Sequence, residues 1–380
     1  MKIAMVGLRG LPATFGGIEK HVEELGSRLV AEGHEVTVFC RPSYAADPAA
    51  IPAEFGYVPA KGRHPGRYRG MTLRNLPAPE GKGLEAFVHS GLAAMASVGR
   101  GYDVVHFHAL GPAIFSGLPR LTGAKTAVTV HGLDWQREKW GKFARWFLRQ
   151  CEGPAAHLPD RTIVVSKTLR QHFREAHHCD AAFIPNGTNL PVVRAPKKIT
   201  QLGLVPGKYV LFVGRLVPEK GVHYLCEAFQ QIDTDMKLAL VGGLSFSQGY
   251  VDVLKKYESD RIRLLDYVFG ESLDELWSNA YCVVQPSTME GLSIALLEAL
   301  SYGRCVLISD IPENMEVAEE CAVSFRSKDV GDLKEKLEHL IRNPDVVHSF
   351  GDRARQHILQ HYSWDKVAES TAELYRSMLA

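Results

Sequence analysis

The sequence has no apolar run long enough to cross a bilayer. Stretches such as "YVLFV" and "LALVGG" end within a few residues, whereas a spanning helix needs about 20. The opening "MKIAMVG" runs straight into a strand pattern, without the charged, apolar and small-residue layout of a secretory signal. Cysteine is sparse and scattered. Cys40, Cys151, Cys179, Cys226, Cys282, Cys305 and Cys321 include no CxxC pair and make an odd total of seven. That argues against a disulfide or zinc framework and for a reducing compartment. The expected address is the cytoplasm.

What is present is ordinary globular material. The 380 residues are 46% hydrophobic and 23% charged, enough for two domains of usual size. The formal net charge of +1 hides an asymmetry. Residues 1–190 carry 23 Lys and Arg against 16 Asp and Glu, a net of +7; the remainder carries 21 against 27, a net of −6. A basic first half suits an anionic partner such as phosphate or a membrane surface, and equally suits attraction between two oppositely charged halves.

Strands alternate with helices almost throughout. "KIAMVG" is followed by helical spacing over residues 17–32 (Ile18, Val22, Leu25, Leu29) and then by "EVTVFC"; "YDVVHFH", "KTAVTVH" and "RTIVVS" come later. The pattern restarts with "KYVLFVGR" and continues through "KLALVGG", "IRLLDYV", "YCVVQPS" and "CVLISD". Continuous apolar strands between helices imply parallel sheets buried on both faces. Between the two series, "NLPVVRAPKKITQLGLVPGK" has the composition of a linker. The expected division is 1–190 and 191–362, with the boundary near 190–200. Two doubly wound domains facing each other would form a cleft, with ligands at the carboxyl ends of the strands. The basic stretch 61–74, "KGRHPGRYRGMTLR", reads as a mobile loop over an anionic acceptor or as a solvated surface loop.

Several residues that follow strands carry chemistry. Gly16 and Gly17 open a helix whose free N–H groups and positive dipole end form an anion site, although the spacing is not GxGxxG. Arg215 and Lys220, around a proline turn in "FVGRLVPEKG", pair a forked and a compact cation suited to a diphosphate leaving group; taken alone, they fit two surface charges, one paired with Glu219. His131 ends "TAVTVH" and precedes Gly132, a position that points into a cleft; His106 and His108 share a strand face and fit core histidines better. In "PSTMEGLSIALLEALSYG", Glu290 stands in the loop before a helix beginning near Leu292, and Glu298 lies within it among Leu296, Leu297, Ala299 and Leu300. A carboxylate in so apolar a run needs donors, which a ribose diol would supply; a structural hydrogen bond to backbone is the plainer alternative.

Taken together, "EGLSIALLEA", "GRLVPEKG", "IPNGTN", "VHGLDW" and the N-terminal "GLPATFGGIEKHVEELGSRLVAEGHEVTVFCR" resemble the retaining glycosyltransferases of family 4, of the bacterial cell-surface polysaccharide type. The resemblance covers essentially the whole chain. It implies the GT-B fold: α/β, two Rossmann-like domains facing across a cleft, with "YSWDKVAESTAELY" in a final helix, 363–380, crossing back to the first. It implies that Arg215, Lys220 and Gly17 hold the donor diphosphate and that Glu298 accepts from the ribose. Glu290 and the backbone N–H groups of Gly291, Leu292 and Ser293 would hold the transferred sugar, which His131 would contact from the first domain. Ser293 departs from the glycine of many relatives.

The implied donor is a nucleoside-diphosphate sugar, UDP-linked by preference, with neither cofactor nor metal, since "DTD" at 233–235 stands in a turn rather than after a strand. The acceptor is a saccharide or lipid-linked saccharide; no nucleic acid is expected. A nucleotide-sugar 2-epimerase and a non-catalytic sugar-nucleotide-binding protein are the alternatives. Residues 139–149, "KWGKFARWFLR", interleave Trp140, Phe143, Trp146 and Phe147 with Lys142, Arg145 and Arg149. Two readings stand: an aromatic face lying on an anionic membrane at the cytoplasmic leaflet, or a helix packed into the first-domain core.

Overall fold

The computed structural model describes residues 1–14, 16–44, 51–62, 64–79, 84–137, 140–243 and 248–380. Arg63 and Lys139, in two of the basic stretches above, lie outside these. The chain forms two compact units, Met1–Asn186 with Trp364–Ala380, and Gly187–Ser363.

The first unit is built on an eight-stranded sheet: β1 (Lys2–Val6), β2 (Glu35–Cys40), β3 (Gly66–Tyr68), β4 (Met71–Asn75), β5 (Val104–His108), β6 (Lys125–Val130), β7 (Arg161–Val164) and β8 (Ala182–Phe183). The order is β3-β4-β2-β1-β5-β6-β7-β8, parallel except where β3 runs antiparallel to β4. Chain order reverses between β1 and β5, the place where such sheets open a crevice at the strands' carboxyl ends. Ile3, Met5, Val36, Val38 and Val104 are buried, as expected of strands covered on both faces. The final helix, Trp364–Leu379, packs Ala368, Ala372, Tyr375 and Met378 into this core.

The basic stretch 61–74 is not a loop over its second half. Residues 66–75 form the β3–β4 hairpin at the sheet edge, turning at Arg69 and Gly70, both at positive φ. Tyr68, Met71 and Leu73 are buried while Arg67 and Arg74 face solvent. Arg69 pairs with Glu23 at 3.6 Å and Glu24 at 3.4 Å.

The second unit holds six parallel strands, β9 (Tyr209–Val213), β10 (Lys237–Val241), β11 (Ile262–Leu265), β12 (Cys282–Gln285), β13 (Val306–Ser309) and β14 (Val323–Phe325), in the order β11-β10-β9-β12-β13-β14. Its reversal lies between β9 and β12. The linker-like segment belongs to this unit and is tied down. Glu275 Oε2 accepts the backbone N–H groups of Lys197 (2.9 Å), Lys198 (2.6 Å) and Ile199 (3.2 Å), and Arg194 donates to Asp274 at 3.0 Å. Among the described residues no helix is long and apolar enough to cross a membrane.

Candidate active site

In the second unit the predicted residues gather at the carboxyl ends of β9 and β12, on either side of the chain reversal. Arg215 follows β9 and is half-buried. Lys220 closes the short 3-10 turn Pro218–Lys220, and Gly221 follows at φ 66°. A Cβ on Gly221 would stand 2.0 Å from the carbonyl oxygen of Pro286. Only glycine lets the turn carrying Lys220 press against the loop after β12. That approach brings Lys220 Nζ to 2.5 Å from Glu290 Oε1, so its partner is not Glu219.

Glu290 sits in a polar cage. The same oxygen accepts from Ser287 Oγ at 2.7 Å and Gln285 Nε2 at 3.2 Å. Burial opposes ionisation, but the Lys220 ammonium, the Ser287 hydroxyl and the Gln285 amide outweigh it and hold the carboxyl below its ordinary range. Gln285 also donates to Ser293 Oγ at 3.0 Å. Nearby Glu313 is shifted the other way, pushed up by burial and by the Glu290 charge.

The helix begins at Ile294, close to the expected start near Leu292, with Ser293 as its N-cap accepting from Leu296 N–H at 3.3 Å. Gly291, Leu292 and Ser293 are all buried in front of it. Glu298 is less buried than its apolar surroundings suggest. Leu296, Leu297, Ala299 and Leu300 face the core, and Glu298 stands half-exposed one turn into the helix. It is therefore not a core carboxylate.

In the first unit Gly17 is exposed at the start of the helix Gly17–Ala31, after Gly16 at φ 110°. A native carboxylate already lies at this helix end. Glu19 folds back against Gly16, where a Cβ would meet its Oε2 at 2.1 Å, and accepts Arg9 N–H at 3.0 Å. His131 directly follows β6 and joins a cluster of histidines. Its Nε2 lies 3.1 Å from His108 Nδ1, and its ring centroid is 4.8 Å from that of His21. His21 Nδ1 meets Asn186 Oδ1 at 2.9 Å. His106 is a core histidine, bonded to Tyr375 at 2.6 Å and Thr129 at 2.7 Å. Burial lowers His21 to about 4, against the Asn186 hydrogen bond that raises it, and His106 to about 3, and takes His108 and His131 well below the ordinary histidine value, with repulsion from neighbouring rings adding to the last three. The cluster is neutral at pH 7.

Residues 15–191 match the model of Glycosyltransferase Family 4, and residues 196–357 that of Glycosyl transferases group 1. An alpha-maltose-1-phosphate synthase from Mycobacterium tuberculosis is 26% identical over 417 aligned residues, covering 100% of each chain. Among solved structures, a sucrose-phosphate synthase from Thermosynechococcus elongatus superposes with a TM-score of 0.81 at 22% identity, covering 100% of this chain and 99% of that one. HepE from Anabaena, solved with UDP and glucose, superposes at 0.80 and 18% identity over 99% and 100%. The chain has the GT-B fold, and each of its halves matches a glycosyltransferase family model.

Two residues of this chain escaped the sequence reading. Gln285, the last residue of β12, links Ser287, Glu290 and Ser293; its signal was a polar residue closing an otherwise apolar strand. His21 lies four positions after Gly17 on one helix and meets His131 only through the tertiary fold.

Proposed function

We propose that this protein moves a hexose-type sugar from a nucleoside-diphosphate sugar, UDP-linked by preference, with retention of anomeric configuration and without a metal. The acceptor is a saccharide or lipid-linked saccharide in cell-surface glycan synthesis. The observation that carries this reading is the caged Lys220–Glu290 pair before the Ser293-capped helix, with Arg215 after the neighbouring strand and Glu298 half-exposed on the same helix. Phosphate oxygens call for preorganised cations, which Arg215 and Lys220 provide. Glu290 keeps Lys220 charged and positioned before the donor arrives. As the diphosphate departs, Lys220 can follow the growing negative charge while Glu290 turns toward the positive charge developing on the sugar. Glu298 accepts from the ribose hydroxyls. Gly291, Leu292 and Ser293 offer backbone N–H groups to the sugar; Ser293's hydroxyl is taken up by its own helix and by Gln285. His131, held neutral, contacts the sugar as a hydrogen-bonding group rather than as a cation, and Gly17 approaches the phosphate.

Support also comes from relatives named as a glycogen synthase and an alpha-(1->4)-mannosyltransferase, and from HepE, solved with UDP-glucose. A membrane-lying first unit at the cytoplasmic face fits the helix Lys142–Gln150. Phe143 is 77% and Trp146 58% exposed, beside Lys142, Arg145 and Arg149, and none of the helix is buried. The core reading fails for these two side chains. The reaction is tested by proton NMR of transfer from UDP-sugars in excess EDTA. The expected product keeps the donor's anomeric configuration at an undiminished rate. An inverted anomer, or activity lost to EDTA and restored by magnesium or manganese, would overturn the corresponding part of the proposal.

A further inference from the structure

A second cluster of ionisable side chains lies in the first unit among residues the proposed reaction does not use. Glu152 opens the helix Glu152–His157, and its side chain is 5% exposed. Its two oxygens are divided. Oε1 accepts the indole N–H of Trp135, which fixes the carboxylate's orientation. Oε2 faces the helix Lys167–His177, where His172 Nε2 lies at 3.0 Å and His177 Nε2 at 2.8 Å. The three atoms all lie within 4.8 Å of one another. The imidazoles are 31% and 20% exposed, so the cluster opens to solvent.

We propose that Glu152, His172 and His177 form a binding site for a divalent transition metal of the zinc class. The donor set is two imidazole nitrogens and one carboxylate oxygen, which suits zinc, cobalt or nickel and not magnesium or calcium, which require oxygen ligands. Bonds of about 2.0–2.1 Å in a tetrahedral site separate neighbouring ligand atoms by roughly 3.3–3.5 Å. The observed 2.8 and 3.0 Å fall short by about half an ångström, within reach of small rotations of two side chains that end at the surface. Solvent supplies the fourth position. The indole of Trp135 completes the arrangement, because a ligating carboxylate is oriented by a hydrogen bond to its other oxygen. The site is structural. It ties the helices Glu152–His157 and Lys167–His177 to the turn Asp134–Gln136 that follows His131, and it offers no step to sugar transfer.

The test is equilibrium dialysis of the full chain against Zn2+ and Co2+, with metal counted by elemental analysis and Co2+ ligation read from its visible spectrum. The wild type is expected to hold one metal ion per chain in a nitrogen–oxygen environment and to gain thermal stability from Zn2+. His172→Gln and His177→Gln, shown to be folded by circular dichroism, should each weaken binding at least tenfold and lose the Zn2+-dependent rise in Tm. His131→Gln serves as the control for the other histidine cluster, His21, His108 and His131, and should bind as the wild type does. Absence of binding at 100 µM free metal, wild-type affinity in both folded Gln variants, loss of binding in His131→Gln alone, or the thiolate charge-transfer band of a cysteine site would each overturn the assignment.

Discussion

Lys220 and Glu290 hold each other 2.5 Å apart where both are largely withdrawn from water. An ion pair in such a place is weak evidence for stability, since desolvation offsets much of the attraction. Its value here lies in function. The pair stores a charged, oriented ammonium at a strand end without demanding a bound anion. Removing Lys220 leaves a buried carboxylate unbalanced, so Lys220→Ala should lower Tm as well as turnover. Arg215→Ala, half-buried after the neighbouring strand, should lower turnover too. Each should cost about 2.7–4 kcal/mol of transition-state stabilisation, roughly a hundredfold to a thousandfold in rate, read by steady-state transfer kinetics beside thermal melts. Unchanged turnover in both folded variants would remove them from the site.

At the scale of elements, the buried parallel strands were legible because their continuous apolar runs leave no other reading, from "KIAMVG" to "CVLISD". The β3–β4 hairpin was not, although Tyr68, Met71 and Leu73 alternate with Arg67, Thr72 and Arg74 as an edge strand should; the density of arginine masked the alternation. The linker composition of 190–200 does not say how that segment is held. The backbone N–H groups of Lys197, Lys198 and Ile199 donate to Glu275, a partner 76 to 78 positions away that no local pattern announces. The Lys220–Glu290 contact is 70 positions apart and depends on Gly221 meeting Pro286, so sequence could name both residues but not join them. The helix Lys142–Gln150 carries its own prediction. Its exposed Phe143 and Trp146 flanked by cations should bind vesicles containing anionic lipid, with binding falling as salt rises. Phe143→Ser with Trp146→Ser should abolish co-sedimentation while leaving the melt unchanged. Equal binding by that double variant would move the membrane contact elsewhere.

Over the whole molecule, pH should act mainly through the first unit. His21 and His106 are lowered to about 4 and about 3, with His108 and His131 also well below their ordinary value. Between the unfolded value of 6.5 and those folded values, the unfolded chain binds more protons than the folded one, so stability falls as pH drops through that window. Each imidazole contributes a slope of up to about 1.4 kcal/mol per pH unit there. Glu24 adds to the loss at lower pH. Burial opposes its ionisation, but Lys20 and Arg69 hold it to about 2, and its share of stability is lost as pH falls from 4.5 through about 2. Denaturant melts should therefore show falling stability from pH 6.5 to 4.5, with a shallower slope in His21→Gln, which can still bond Asn186. A flat profile would show that these imidazoles are not held neutral by the fold.

The central claim is that the loop and helix after β12 present two carboxylates with different tasks, Glu298 on the helix to the donor's ribose and Glu290 on the loop to its sugar. Calorimetric titration with UDP, which carries the ribose and diphosphate but no sugar, separates them. Glu298→Gln should bind UDP at least about tenfold more weakly, because an amide loses the charge that strengthens those hydrogen bonds. Glu290→Gln should bind UDP as well as the wild type or more tightly, since it releases Lys220 toward phosphate, even as transfer slows. Weaker UDP binding in Glu290→Gln together with unchanged binding in Glu298→Gln would contradict the assignment.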